Sequence, residues 1–580
     1  MRRSSNWLAA YVFLAALCAS VWVDSTALLP WLIAAALVVS LWRWPFELDD
    51  PPPSARIGLR DLGLALAIAA PAFVYLIATW RQEFPTSGDQ FLHNGYALEA
   101  YAFWWPWPFL AAVAAIVATI IALWRNPRSP LPLIGFLVLA GLAACAFRGG
   151  FAGRYPALLH FFSIPFRLVI PAPTPIAIER LVNTLSIPVW LLILRPKFVG
   201  RGVDLGAILT GTFLFWQKDV IYYVTSGYLE AWAIVLLLTA GEHLVRFGGQ
   251  AIWRPLLLLG TAAVIKDQAI ITLPLVALVF FPRQGRLPYL ATVSAAVTPF
   301  ALYAMHPMAN VWRGSAYVSL AQAFGPHAPQ WGERVALQFG AALPVAAMAV
   351  GALLVLAFRN RGAAALLAAA ALDATVFFFA AAQQHWPGYP RTNLIPLAYA
   401  ALAFGVLVQG RRALGLAAVV LTTALNAMPL AAFMSSAFGP SDGRNFFEHI
   451  DAPIFYPIAE VMAKQTLVAP GQTIEILNNG KRIWPLYYPG LFVEEYPALS
   501  VRYRVRVGSF RDMPERCACS GDVAKLAVFV RFTNLGANLP ARAAIEREGA
   551  ACRAAMEASC LRRTVVMHGD SPVALLGVAQ

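Results

Sequence analysis

Charged residues are scarce in this chain of 580 residues. Asp, Glu, Lys and Arg make up 13% of it, whereas 59% of the residues are hydrophobic and the mean hydropathy is +0.63. Soluble domains carry about 25% charged and about 45–50% apolar residues, so a soluble chain of this size would expose apolar surface that it could not cover. The composition excludes a simple secreted, cytosolic or disordered protein and predicts a polytopic membrane protein.

Acidic residues are the scarcer of the two charge types. Asp and Glu number 30 against 44 Lys and Arg, which gives a formal net charge of +14. Nucleic-acid-binding proteins are also basic, but here no basic run is interleaved with aromatic residues and no recognition motif is present. In membrane proteins the excess of Lys and Arg gathers in cytoplasmic loops. We therefore exclude nucleic acid as a partner.

Motifs of soluble enzymes are absent as well. The sequence has no G-x-x-x-x-G-K-[ST], no G-x-S-x-G and no H-E-x-x-H, which argues against ATP-driven transport by this chain alone. We expect the chemistry to come from polar groups on outer loops or inside the helical bundle, because ionisable residues at membrane depth are costly and tend to be functional.

Apolar runs long enough to cross a bilayer as helices recur as far as residue 437. We predict 13 spans, and 15 if two shorter runs that flank Lys266, at 253–265 and 267–282, also cross. With the N-terminus inside, the outer loops and adjoining helix ends carry about ten basic residues and the inner loops eighteen, among them Arg195, Lys197, Arg246, Arg254 and Arg412. This bias predicts an N-in, C-out orientation. The complete spans are predicted at 7–23, 27–42, 62–80, 104–124, 131–147, 176–194, 203–217, 228–247, 287–305, 336–357, 363–381, 394–410 and 413–436.

The character of the sequence changes after about residue 438. No later run is long enough to span a membrane, and strand-like stretches occur at 473–477, 501–507, 525–531 and 564–568, with a helical pattern at 541–557. The predicted fold is an all-α polytopic membrane bundle over residues 1–437, followed by a small extracytoplasmic α/β domain over residues 438–580.

Four of the six cysteines, Cys517, Cys519, Cys552 and Cys560, fall in this C-terminal region. Four cysteines in an exported domain suggest disulfides. Cys552 and Cys560 are about 12 Å apart along a predicted helix, too far to pair, so the favoured links join the first two cysteines to the last two. A zinc site is the alternative, although this spacing is not standard for zinc. No metal ligand is assigned.

The first outer loop, 81–103, contains Asp89, His93 and Glu99. Asp89 follows a Ser-Gly turn and precedes an amphipathic, aromatic-rich stretch, which is typical of an interfacial helix lying on the outer leaflet. A carboxylate at the start of such a helix suits a general base that acts on a lipid-borne substrate. An N-cap aspartate explains the same position equally well.

The second outer loop, 148–175, holds Arg148, Arg154, His160 and Arg167 among prolines and aromatic residues. Guanidinium groups bind phosphate oxygens in bidentate fashion, so this cluster suggests a phosphate site. The alternative is that these arginines snorkel to lipid headgroups.

Further polar groups are scattered along the chain. Glu230 opens a predicted span, and Arg391 lies in the loop QQHWPGYPRTN. Lys266 and Asp267 lie between two short apolar runs, and such a break is tolerated only where it lines a cavity or is buried in protein. The alternative is that these neighbours neutralise each other. Asp373 lies near the middle of a predicted span and needs a partner, for structure or for function.

Six segments over roughly residues 60–410 match the motifs of a known protein family in their order and spacing. They are SGDQFLHNGYALEA, RYPALLHFF, IERLVNTLSIPV, TSGYLEAWAIVLLL, VIKDQAIITLPL and GYPRTNLIPL. The ordered set resembles the GT-C superfamily of polytopic glycosyltransferases, such as the dolichyl-phosphate-mannose-dependent protein mannosyltransferases. The sequence departs from the family at two points. The first loop has one Asp rather than an acidic pair, and Gln268 stands where a Glu is common.

The resemblance implies an inverting transfer of a sugar from a polyprenyl-phosphate donor to an acceptor hydroxyl on the extracytoplasmic side of the membrane. The preference for Arg over Lys and the many alanines suggest a bacterium with a GC-rich genome, and hence a bacterial cell (inner) membrane. Asp89 is then the general base, and cationic groups stabilise the departing phosphate. No cofactor is assigned, and a divalent cation is compatible with this chemistry. The expected partners are the lipid-linked donor, a lipid, glycan or protein acceptor, and membrane lipids. The expected phosphate- and substrate-binding residues are Arg154, His160, Lys266, Arg391, Glu230 and His93.

Three other functions compete with this interpretation. A transporter or flippase of a lipid-linked saccharide would often show internal repeats and charge pairs at the midplane, whereas here no repeat is visible and polar groups crowd the outer side. A polysaccharide polymerase or ligase would need a large outer loop instead of a terminal domain. A scaffold with an extracytoplasmic glycan-binding domain would need far fewer spans.

Overall fold

The computed structural model describes residues 55–80, 175–225, 230–283, 285–305, 343–375 and 394–437, together with five strands after residue 470. The described residues before 438 are mostly helical, as predicted. Its α-helices are α1 (Leu59–Ala78), α2 (Pro175–Thr184), α3 (Ser186–Val189), α4 (Arg195–Phe198), α5 (Leu205–Phe215), α6 (Lys218–Thr225), α7 (Glu230–Phe247), α8 (Trp253–Ile265), α9 (Thr272–Val279), α10 (Arg286–Met305), α11 (Leu343–Ala357), α12 (Arg361–Asp373), α13 (Leu394–Val408) and α14 (Arg412–Ala437). A π-helical turn, Trp190–Leu194, separates α3 from α4, and a 3-10 helix, Asp267–Ile271, precedes α9.

Three helical segments among the described residues are long and apolar enough to cross a membrane: Leu59–Ala78, Ala177–Phe198 and Arg412–Ser435. A fourth is added if α6 and α7 together form one broken span. Shorter apolar helices include α5, α8, α11 and α13. These findings are compatible with a helical membrane protein, although many of the 13 predicted spans lie wholly or partly outside the described residues.

Helix α7 lies at the centre of the helical unit and is buried along nearly its whole length. It packs against α8, α12 and α13. The peripheral helices expose large apolar side chains instead: Ile77 is 71% exposed, Val420 67% and Met428 83%. Exposed apolar side chains of this size are compatible with helices that meet a membrane or another apolar partner.

One end of the helical unit is joined by a buried charge network around Glu242. Arg195 donates from Nε to Glu242 Oε2 at 2.7 Å and from Nη2 to Glu242 Oε1 at 2.8 Å. Its Nη2 also lies 2.7 Å from Asp204 Oδ1. Arg246 pairs with Glu242 at 2.8 Å, and Gln409 of the α13–α14 connection bonds to both Arg246 and Asp204. The network therefore ties together α4, α5, α7 and the end of α13.

The strands form one five-stranded sheet. They are β1 (Thr473–Asn478), β2 (Arg504–Ser509), β3 (Ala524–Val530), β4 (Leu561–His568) and β5 (Ser571–Ala579), in the order β2-β1-β3-β5-β4. β1 pairs in parallel with β2 and β3, and β5 pairs antiparallel with β3 and β4. Four strands overlap the predicted stretches. β5 was not predicted, because its sequence is a nearly continuous apolar run without alternation.

The chain divides into two compact units, one containing Glu179–Ala437 and the other Phe438–Gln580. The helical pattern predicted at 541–557 and the four C-terminal cysteines lie outside the described residues.

Gly260 marks the closest approach of α8 to α10. A Cβ atom at this position would lie 2.4 Å from the carbonyl oxygen of Ala296, whereas a Cβ at Gly351 in α11 would meet nothing within 4 Å. Both glycines lie in helices, but packing excludes a side chain only at Gly260. Gly351 is therefore a matched control.

We predict that Gly260→Ala lowers the free energy of unfolding by about 1–3 kcal/mol, because the new methyl group forces two helix backbones apart. Gly351→Ala is expected to raise it by about 0.5–1 kcal/mol, because alanine restricts the unfolded chain in a position with free space. Thermal unfolding of the purified protein in detergent measures both. Equal effects at the two positions would contradict the close approach of α8 and α10.

Candidate functional site

The candidate site lies at the break after α8. The helix ends at Ile265, and Lys266 has extended dihedrals, φ −137° and ψ 113°, before the 3-10 helix begins at Asp267. The Asp267 carboxylate accepts from the backbone N–H of Gln268 at 2.9 Å, which supports the new turn. The chain therefore interrupts the helix at the place where the sequence combines Lys, Asp and Gln between two apolar runs.

Lys266 forms an ion pair with Glu230, the first residue of α7. Lys266 Nζ lies 3.1 Å from Glu230 Oε1, and the side chains are only 12% and 5% exposed. A carboxylate in the first turn of a helix interacts favourably with the helix dipole. Neither carboxylate oxygen of Glu230 has a hydrogen-bond partner among the described residues, and Oε2 also lies outside the ion pair. The carboxylate is thus held by the lysine but is incompletely satisfied.

Gln268 and Asp373 form the second buried contact of the site. Gln268 Nε2 donates to Asp373 Oδ1 at 2.8 Å and to Oδ2 at 3.0 Å, and both residues are buried. Asp373 is the last residue of α12, and Lys266 also interacts with it electrostatically. One turn further along the chain, the hydroxyls of Thr272 and Tyr399 lie 2.8 Å apart. These polar contacts together form a strip that runs from the break into the helical unit. We call it the polar strip; its members are Glu230, Lys266, Gln268, Asp373, Thr272 and Tyr399.

A third contact joins α2 to the end of α6. Arg180 Nε donates to the carbonyl oxygen of Thr225 at 2.6 Å, and the arginine is buried. Arg180 lies in IERLVNT, Thr225 and Glu230 lie in TSGYLEA, and Lys266 lies in VIKDQAI. The structure therefore joins, pair by pair, three of the segments on which the resemblance rests.

The strip can hold an anion or orient hydroxyl groups. An ammonium group is a compact cation with three donors, and a buried carboxylate next to it accepts protons or hydrogen bonds. Among the described residues, no group of three or more His, Cys, Asp or Glu side chains is arranged to hold a metal ion. The side chains of the strip that can bind an anion or a hydroxyl group are Lys266, Glu230, Gln268 and Asp373.

Two of the predicted site residues, Glu230 and Lys266, are described, and they lie in direct contact. The others, Asp89, His93, Arg154, His160 and Arg391, lie outside the described residues, as do Cys517, Cys519, Cys552 and Cys560.

Gln268 and Arg180 were not predicted as site residues. A signal for Gln268 was its position beside the lysine at a helix break. A signal for Arg180 was an arginine next to Glu179 within a mostly apolar predicted span.

Comparisons of the chain with protein families, with curated proteins and with solved structures found no match.

We predict that Gln268→Leu lowers the free energy of unfolding by about 1–3 kcal/mol, because it leaves the buried Asp373 carboxylate without its amide donor. The double variant Gln268→Leu with Asp373→Leu is expected to recover much of this loss, because replacing both partners by apolar groups removes the unsatisfied carboxylate. Thermal unfolding of the single and double variants in detergent measures the coupling. Additive effects of the two substitutions would argue against the contact.

Proposed function

We propose that the chain is an integral-membrane glycosyltransferase of the GT-C type. It moves a sugar from a polyprenyl-phosphate donor to an acceptor hydroxyl on the extracytoplasmic side of a bacterial inner membrane. The observation that carries the proposal is the buried Lys266–Glu230 pair at a break between apolar helices, with Nζ 3.1 Å from Oε1. It joins the segments TSGYLEA and VIKDQAI, and a cation at such a break is suited to a lipid-borne phosphate.

The distribution of charged contacts supports the proposed topology. Arg195 and Arg246, both assigned to the inner side from loop charge, contact the same carboxylate, Glu242. Glu230, assigned to the outer side, lies twelve residues earlier on the same helix, about 18 Å away. The two ends of α7 thus carry the contacts expected for its inner and outer ends. We propose with this a polytopic bundle of about 13 spans, N-terminus inside, whose C-terminal α/β domain is extracytoplasmic and linked by disulfides.

In the proposed reaction Asp89 takes the proton from the acceptor hydroxyl as its oxygen attacks the anomeric carbon of the donor. A new glycosidic bond forms with inversion while the bond from the anomeric carbon to the phosphate oxygen breaks, and the lipid phosphate leaves with the electron pair. Donors placed where negative charge develops lower the barrier. The groups proposed for this role are Lys266, Arg154, His160 and Arg391, with His93 contacting the substrate.

Glu230 has a defined part in this proposal. Its carboxylate holds Lys266 in the absence of substrate, and the donor phosphate competes with it for the ammonium group. Once released, Glu230 orients a hydroxyl of the sugar or of the acceptor. The incompletely satisfied Oε2 favours such an exchange, because little hydrogen bonding is lost when the pair opens.

We predict opposite effects for the two members of the pair. Lys266→Met is expected to weaken binding of polyprenyl phosphate about tenfold, because a charge-assisted contact is lost. Glu230→Gln is expected to strengthen binding of the same ligand while lowering kcat, because the competing carboxylate is gone but the hydroxyl contact is impaired. Binding measured with polyprenyl phosphate in detergent, together with KM and kcat for the labelled donor, separates the two effects.

Lys218→Gln is the control for this experiment, because Lys218 is an exposed cation at the start of α6. It removes the same charge without touching the pair and is expected to leave binding unchanged. If Glu230→Gln weakened phosphate binding as much as Lys266→Met, competition between carboxylate and phosphate would be ruled out.

We also predict that Asp89→Asn abolishes sugar transfer from a polyprenyl-phosphate donor, because the amide cannot accept the proton of the acceptor hydroxyl. The variant is expected to insert and purify like the parent protein and to retain binding of polyprenyl phosphate. The measurement is incorporation of labelled sugar into acceptor in isolated membranes. Full activity would overturn the assignment of the base, and movement of the labelled lipid across the bilayer without a new glycosidic bond would indicate a flippase.

A further inference from the structure

Arg254 is a buried cation that has no counter-ion among the described residues. It is the second residue of α8 and is 2% exposed. In the described part of the chain its guanidinium makes one long hydrogen bond, from Nη1 to the carbonyl oxygen of Lys197 at 3.3 Å, and its Nε has no partner. None of the ion pairs found among those residues includes it. This contrasts with Arg195, which is equally buried and pairs with two carboxylates.

Aromatic rings do not replace the missing charge. The Arg254 guanidinium lies 5.2 Å from the ring centroid of Trp253 and 5.9 Å from that of Phe198. Such cation–π contacts return only a small part of the hydration free energy that a buried cation loses. The indole Nε1 of Trp253 is itself buried without an acceptor in the described region. Two neighbouring buried donors thus lack acceptors, whereas buried polar groups normally have them.

The connection that leads into α8 is held in a strained shape. Ala251 has φ +46°, a left-handed conformation that is uncommon for a residue with a side chain. His243 of α7 contacts both α4 and this connection. Its Nδ1 lies 2.8 Å from the carbonyl oxygen of Phe198 in α4, and its Nε2 lies 3.0 Å from that of Gln250 in the connection. Strained residues of this kind recur at ligand-binding positions. The donors of Arg254 and Trp253 are thereby held in place by the surrounding structure.

The geometry points to a phosphate-binding site formed by Arg254, Trp253 and Lys197. A phosphate supplies the negative charge and the acceptor oxygens that the two buried donors lack. The side chain of Lys197 is long enough to reach the same anion, because its backbone contacts the guanidinium, and its partial exposure leaves a way in from the surface. The ligand is the phosphate of an anionic lipid headgroup or free inorganic phosphate.

This site is separate from the proposed substrate site. Arg254 and Lys266 lie at opposite ends of α8, about 18 Å apart along the helix axis. Arg254 and Lys197 belong to the basic residues assigned to the inner side, where basic pockets between helices bind anionic headgroups. The inference therefore does not depend on glycosyltransferase activity.

The test measures thermal stability and binding of the full-length, delipidated protein with three additives: inorganic phosphate, phosphatidylglycerol in micelles, and zwitterionic phosphatidylcholine in micelles. Phosphate or phosphatidylglycerol is expected to raise the Tm, and phosphatidylcholine is not. Trp253→Phe removes only the indole N–H and is expected to weaken the binding that causes this rise, without lowering the Tm of the ligand-free protein. Arg254→Gln is expected to weaken it about tenfold or more.

Arg412→Gln is the matched control, because Arg412 is an exposed cation assigned to the same inner side, and it is expected to leave the rise in Tm unchanged. A rise with inorganic phosphate alone identifies a free-anion site, and a rise only with phosphatidylglycerol identifies a headgroup site. If Arg254→Gln does not fold, Trp253→Phe and Lys197→Gln decide. An undiminished rise in Trp253→Phe and Lys197→Gln, or no rise with either anion in the parent protein, would overturn the inference.

Discussion

The fork between Arg195 and Glu242 is the contact on which the described helical unit depends most. Two buried side chains share two hydrogen bonds of 2.7 and 2.8 Å. Asp204 also accepts from Arg195, Arg246 also donates to Glu242, and Gln409 links Asp204 to Arg246. Removing one member of a buried pair leaves an uncompensated charge, which costs about 3–5 kcal/mol. Because α4, α5, α7 and the end of α13 all contribute to this network, their relative positions are fixed together.

Two buried cations and one largely buried cation at the ends of the central helices differ in how far they are satisfied. Arg195 has two carboxylates. Lys266 has Glu230, whose second oxygen lacks a partner in the described region, and Arg254 has aromatic rings and one long hydrogen bond. The saturated contact has no capacity left for a ligand and is structural. The two incomplete ones leave donors or acceptors that a bound anion would satisfy, which is why both proposals rest on them.

Much of this could be predicted from the sequence. The long apolar runs predict the helical character. The polar tripeptide Lys-Asp-Gln between two short apolar runs predicts the helix break at Lys266. The pairing of Gln268 with Asp373 could not be predicted, because 105 residues separate them and either side chain has many possible partners. Strand β5 was not predicted for another reason. Its apolar run lacks alternation, and only the Gly569-Asp570 dipeptide before it is typical of a tight hairpin.

The sequence by itself determined that this chain is hydrophobic enough for a polytopic membrane protein, where its apolar helices lie, and which side most of its arginines favour. These are properties of composition and local order. Only the tertiary structure decided which charges are compensated. Arg195 and Arg254 look alike in the sequence, each a basic residue beside a proline at the edge of an apolar run. Their contacts come from other helices, so only packing distinguishes Arg195, which pairs with two carboxylates, from Arg254, which has no counter-ion within the described ranges.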